Sequence, residues 1–246
     1  MLEQNMTIKK IITGLFAICI TSCNTTNKEE ILKETVSDIH VVGTMKNVIW
    51  KGELEGRISL DTISDKKGLY GLGPESYLKG ELLINNGICY VSEVTSDSTM
   101  TVEKKFDVSA PFFVYANVSE WNEIELPSTI KTIPELEQFI EERTREKKRP
   151  FAFKLKGTVS KAVIHIQNLP EGTQVASPDD AHKGQVKYEL ENTTSDIIGF
   201  FSTEHKGIFT HHDSYLHMHL ITEDESKMGH LDDIEINTMT LYLPKN

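Results

Sequence analysis

The chain predicts a β-rich α+β protein, on three observations. Many short apolar-rich runs are separated by turn residues, one stretch alone shows helical apolar spacing, and an Asn-Gly junction joins two of the runs directly. The expected architecture has two parts, a mixed N-terminal β-sheet and an antiparallel, barrel-like C-terminal β-sheet. Residues 39–50 form a mixed apolar stretch that stays unassigned, and Gly71-Leu72-Gly73-Pro74 is rich in turn residues. Residues 78–84 and 88–94, joined through Asn85-Asn86-Gly87, read as a β-hairpin, because Asn-Gly suits the positive-φ positions of a tight turn. Residues 112–118 read as a further strand. Thr132-Ile133-Pro134-Glu135 is a helix start, with Thr132 as cap and Glu135 completing a capping box. Leu136, Phe139 and Ile140 supply the apolar stripe, and the basic run from Arg143 to Arg149 is a solvated helix end favoured by the macrodipole. Strands are expected at 151–155 and 159–166, separated at Gly157, and at 186–190, 197–202, 215–222 and 234–243.

The first residues have the order of an export signal. Lys9 and Lys10 precede an apolar run from Ile11 to Ile20, too short to span a membrane, which ends at Thr21-Ser22-Cys23. That ending resembles the lipobox of bacterial lipoproteins, in which the cysteine carries lipid and becomes the first mature residue. The expectation is a protein exported to the bacterial cell envelope and held at the membrane only by lipid on Cys23. The segments are then residues 1–22 as signal, 23–37 as a polar tether, 38–130 as an N-terminal half, 131–149 as a connecting helix and 150–246 as a C-terminal half. Losing residues 1–22 discards Lys9, Lys10 and Glu3 and leaves 24 basic against 36 acidic residues, a net charge of −12. Such a surface argues against a nucleic-acid partner, which requires clustered cations. Cys89 has no partner once Cys19 and Cys23 are set aside, so it reads as a small core residue and not part of a disulfide framework. Oligomeric state is not legible, and a homodimer stays open.

The chemistry concentrates in nine histidines, above all His217-Met218-His219, followed by His230. Leu216, Met218 and Leu220 alternate with His217, His219 and Ile221, which is strand periodicity. Both imidazoles then share one face about 7 Å apart, close enough to converge on one ion. A third imidazole from His230 completes three nitrogen ligands and leaves a coordination position open, the arrangement of a catalytic zinc. His205, His211 and His212, in the polar loop before this strand, either contact that site or are simply solvated. Asp232-Asp233 either orients an imidazole or forms acidic surface.

Residues 215–224 with Gly229-His230 are similar to the Tyr-His-Leu-His-Phe-Ile-Thr-Asp/Glu-Asp…Gly-Gly-His pattern of the α-acetolactate decarboxylase family, with one residue inserted before the first histidine. Supporting matches run in order: Gly71-Leu72-Gly73, Lys79-Gly80-Glu81-Leu82, the segment 150–157, Ile198-Gly199-Phe200 and Glu204. The resemblance covers about residues 40–244. It implies a carboxy-lyase that converts 2-acetolactate, or a related small 2-hydroxy-3-oxo acid, to acetoin and carbon dioxide through a metal-stabilised enediolate. It also implies that His217, His219 and His230 hold Zn2+ and that Glu81 handles a proton.

The chain departs from the family pattern in three places. Lys79 stands where the family has an aspartate. His165 stands at the position of an active-site arginine, so it is either a fourth active-site histidine that does part of the arginine's work or a satisfied histidine on a half-buried strand. The family also draws a glutamate from a tail beyond its Leu-Pro segment, whereas this sequence runs Leu243-Pro244-Lys245-Asn246. These departures keep two alternatives in view, an altered substrate and a surface lipoprotein that binds zinc or a ligand without turnover.

Overall fold

The computed structural model describes residues 38–210 and 213–245. The expected signal (1–22), the expected Cys23 anchor and the expected tether (23–37), together with His211 and His212, lie outside the described residues. Two antiparallel sheets dominate. The first is built from β1 (His40–Val42), β3 (Leu69–Pro74), β4 (Glu81–Asn85), β5 (Ile88–Ser96), β6 (Thr99–Lys104) and β8 (Phe113–Asn117) in the order β1-β8-β3-β4-β5-β6. β2 (Ile58–Ser59) and β7 (Ser109–Ala110) form a separate short pair. The Asn86-Gly87 turn joins β4 to β5 as the sequence predicts, with φ of 49° and 81° at its two residues. Every neighbour in this sheet is antiparallel, which corrects the expectation of a mixed sheet. Parallel neighbours need a crossover of a dozen or more residues, and the short links β3–β4, β4–β5 and β5–β6 leave no room for one.

The second sheet takes β9 (Trp121–Glu125), β10 (Phe151–Ile166), β11 (Val186–Phe201), β12 (Leu216–Thr222) and β13 (Met228–Pro244) in the order β10-β11-β12-β13-β9. β13 also pairs with β10, so the sheet curls strongly. It is not a closed barrel: β12 and β13 meet over three residue pairs only, from His219–His230 to Ile221–Met228.

The long strands cross points that the sequence reads as breaks. β10 continues through Gly157, whose φ of 153° and close approach to the Thr238 carbonyl exclude a side chain there. β11 continues through the polar stretch Asn192-Thr193-Thr194. β10 is laddered on both edges, by β11 and by β13, and that pairing outweighs local composition.

Three α-helices and two single-turn 3-10 helices, Leu60–Thr62 and Ser76–Leu78, complete the described residues. α1 (Met45–Lys51) starts at Thr44, whose hydroxyl accepts from the Asn47 N–H, and stops at Gly52 in the left-handed region. Its two turns are too short for a periodic signal. α2 (Ile133–Arg143) is the helix read from the sequence, with the Glu135 carboxylate accepting from the Thr132 N–H at 3.0 Å. It buries Leu136, Phe139 and Ile140 against the second sheet. α3 (Pro178–Ala181) is a single turn capped by Ser177. No helix of the described residues is long and apolar enough to cross a membrane.

The sheets meet through one apolar layer. Tyr70, Leu72, Leu83 and Val114 from the first pack on Ala152, Ile198, Phe200, Ile221 and Met228 from the second. Phe200 is fully buried in that layer. Phe200→Ala is expected to lower stability by about 3–5 kcal/mol, through lost burial and the cavity left behind. A lower urea midpoint at unchanged slope is the readout.

Candidate metal centre

Cross-strand register assembles the site. His217 and His219 alternate along β12 and point to one side of it, as strand periodicity requires. His230 on β13 lies opposite His219 of β12 on one edge and opposite His165 of β10 on the other. Gly229 makes this convergence possible, because a side chain there would run into the His165 carbonyl. The four imidazoles are buried, between 0 and 6 % exposed. Nitrogens of His217, His219 and His230 all lie within 4.8 Å of one another. Ring centroids are 5.2 Å apart for His217–His219, 5.0 Å for His217–His230 and 5.4 Å for His219–His230.

Glu81 opens β4 and enters from the other sheet. Its Oε2 lies 3.6 Å from Nε2 of His219, and its Oε1 lies 3.9 Å from Nε2 of His165. The Gln167 backbone N–H donates to Oε1 at 3.4 Å. Burial pushes the Glu81 carboxyl well above the usual carboxylate range; the Gln167 bond opposes this, and the charges of Asp232 and Glu75 add to it. Lys79, the departure from the expected Asp-Gly-Glu segment, turns elsewhere, donating to the Leu169 carbonyl at 2.6 Å.

His165 belongs to the site. Its Nδ1 lies 2.6 Å from Oδ1 of Asp232, while Oδ2 of Asp232 lies 2.9 Å from Nζ of Lys187. Burial raises the Asp232 carboxyl, but its bond to His165 and the charge that ring carries when protonated, then the bond and charge of Lys187, outweigh that and hold it below its ordinary value. His165, His230 and Asp232 form a second group of ligand-type atoms. At 2.6 Å the His165–Asp232 contact is a hydrogen bond, with no space for an ion between the two atoms.

A cavity of about 190 Å³ opens onto this cluster. Its polar side is formed by Glu81, His165, Gln167, His217 and His230, with His182 at the exposed mouth. Its apolar side is formed by Met45, Val48 and Ile49 of α1, Leu78, Phe112, and Pro178 and Ala181 of α3. No lysine or arginine is among these lining residues. Sequence reasoning missed His182, Gln167 and the α1 wall. Gln167 had one signal, its place two residues after His165 on the same face; His182 had none. Of the loop histidines, His205 is within the described residues. It bonds Ser202 Oγ through Nδ1 at 2.7 Å and stacks on Phe209, away from the cavity, and Glu204 beside it is exposed.

Fold and site together define a β-rich protein whose two antiparallel sheets enclose a cluster of imidazoles and one buried carboxyl, able to hold a metal ion. The chain belongs to the alpha-acetolactate decarboxylase family, whose sequence profile matches residues 39–245. It is 24 % identical over 198 residues to the alpha-acetolactate decarboxylase of Brevibacillus brevis, covering 80 % of this chain and 66 % of that one, just under two thirds of the relative's length. It is 27 % identical over 224 residues to that of Bacillus licheniformis, covering 88 % of this chain and 83 % of that one. The crystal structure of alpha-acetolactate decarboxylase from Bacillus subtilis strain 168 superposes with a TM-score of 0.69 at 25 % identity, over 85 % of this chain and 86 % of that one. A Staphylococcus aureus protein of unknown function, similar to alpha-acetolactate decarboxylase, shares the fold with a TM-score of 0.71 at 17 % identity, over 83 % of this chain and 84 % of that one.

Proposed function

We propose that this protein is a zinc-dependent carboxy-lyase that converts 2-acetolactate, or a related 2-hydroxy-3-oxo acid, to acetoin and carbon dioxide. The observation that carries the reading is the convergence of His217, His219 and His230 beside the buried Glu81. The donor set fits zinc: three neutral imidazoles whose nitrogens cluster within 4.8 Å leave one side open to a ligand. When bound, zinc supplies Lewis acidity for the negative charge that develops on the ketone oxygen.

This chain's own residues have separate tasks. The bond from the 2-carbon to the carboxylate breaks, carbon dioxide leaves, and the electron pair passes into an enediolate. Glu81, whose carboxyl is pushed up by burial toward its protonated form, delivers a proton to one face of that carbon and recovers its proton from solvent. Gln167 holds the Glu81 carboxyl through its backbone N–H. Met45, Val48, Leu78 and Phe112 face the substrate's methyl groups and keep bulk water off the reacting carbon. Purified protein is expected to contain one zinc per chain by elemental analysis and to form acetoin from acetolactate in a colorimetric assay. Stoichiometric zinc without acetoin would point to the non-catalytic binding protein instead.

The proposal extends to location. Lys9 and Lys10, the apolar run that follows and Cys23 support export with a lipid anchor on that cysteine. Radiolabelled fatty acid is expected to label the wild-type chain and not Cys23→Ser; equal labelling of the two would remove Cys23 as the anchor.

A further inference from the structure

We propose that Asp232 is a positioning residue that fixes the tautomer of His165, so that a bare Nε2 faces the cavity as the acceptor for a substrate hydroxyl. The proposal rests on the decarboxylase reading for the identity of that substrate, and on geometry for the rest.

The β10–β13 ladder runs in register from Ala162–Ile234 to Val163–Asp233, then resumes at Ile164–Leu231. Asp232 is therefore the extra residue of a β-bulge, opposed by no residue of β10. Bulges next to active sites re-aim side chains, and this one swings a carboxylate onto the outer nitrogen of His165. Lys187 is the direct cross-strand partner of His165 on β11. Its ammonium lies 2.9 Å from the second oxygen of Asp232 and holds the carboxylate in place. Side-chain exposure falls along the chain of contacts, from 60 % at Lys187 through 21 % at Asp232 and 8 % at His165 to 3 % at Glu81.

The hydrogen-bonding inventory then assigns the proton. An ionised carboxylate only accepts, so the hydrogen in the 2.6 Å contact belongs to Nδ1 of His165. With that one N–H committed to Asp232, the neutral form of the ring carries a bare Nε2, and the proposal is of that form. Nε2 is 3.9 Å from Oε1 of Glu81, too far for a direct bond, and it faces the cavity. A bare nitrogen accepts from a hydroxyl but receives nothing from a carboxylate or a ketone. His165 therefore selects the 2-hydroxyl of the substrate and does not substitute for a guanidinium as a carboxylate clamp.

Long-range proton–nitrogen correlation NMR on the full-length protein tests the tautomer, with His165→Gln assigning the signal. The expected wild-type pattern is a protonated Nδ1 and a pyridine-type Nε2. A protonated Nε2, whether in the other tautomer or in a doubly protonated ring, overturns the proposal. Calorimetry tests the hydroxyl, using two unreactive probes, 2,3-dihydroxy-2-methylbutanoate and its 2-deoxy counterpart. Wild type is expected to prefer the first, and Asp232→Asn to lose about 10–100-fold of that preference as its tautomers mix. Asp233→Asn removes the same charge one residue away on the exposed side and is expected to match wild type. Equal affinity of wild type for the two probes, or no change in Asp232→Asn, also overturns the proposal. Both wild-type measurements stand if the variant fails to fold. Acetolactate left unconverted by protein with the expected tautomer and probe preference would sink the decarboxylase reading and leave the role of Asp232 intact.

Discussion

His219→Ala is expected to leave the protein without stoichiometric zinc and to lower kcat/KM for acetolactate by about a thousandfold or more. His219 is fully buried, pairs with His230 across β12–β13 and lies 3.6 Å from the Glu81 carboxyl, so it stands at the centre of the donor set. Two imidazoles hold the ion far less well than three. A Lewis acid at a developing oxyanion contributes several kcal/mol, and each ~1.36 kcal/mol is a factor of ten in rate. Elemental analysis and the acetoin assay are read together, with circular dichroism to show that the sheets persist. Unchanged zinc content and turnover would rule out the three-histidine centre.

Glu81→Gln separates the proton from the metal. The amide keeps the volume and still accepts from the Gln167 N–H, but it has no proton to deliver to carbon. Turnover is expected to fall by about 10²–10⁴-fold while zinc stays stoichiometric. The handedness of the remaining acetoin is a second readout, since one face of the enediolate loses its proton donor. Wild-type kcat with Gln at this position would move the acid to another group. The pair of variants is diagnostic because one loses ion and activity together, whereas the other loses activity alone.

Part of the site is legible in the sequence, and the reasons differ by residue. His217 and His219 show themselves because strand periodicity is a two-residue signal, readable within a handful of positions. His230 is visible through the resemblance, but its real placement comes from β13 starting at Met228, six residues earlier than the apolar run at 234–243 suggests. Met228 to Asp233 carries a histidine and two aspartates, so its composition hides a strand that pairing with β10 and β12 imposes. His165 admits two readings in the sequence because its immediate neighbours are apolar. The deciding contacts, Asp232 and Glu81, come from 67 and 84 residues away along the chain. Asp232 is ambiguous between orienter and acidic surface for the same reason. Only the bulge shows that it reaches an imidazole, and that the imidazole is His165, outside the three proposed ligands.

Local spacing and turn chemistry are enough to specify the β-rich class, the Asn-Gly hairpin, the capped helix α2 and the His217–His219 pair, and the resemblance adds His230, so these could be read from the chain alone. Folding in three dimensions made the first sheet wholly antiparallel and carried β10 and β11 unbroken through their polar and glycine positions. It also buried Glu81 against His219 and set α1 and Phe112 as walls of the cavity. These outcomes depend on ladder partners and on packing between the sheets, which join residues far apart in the chain. Burial, which raises the Glu81 carboxyl above its usual range, exists only once both sheets are in place.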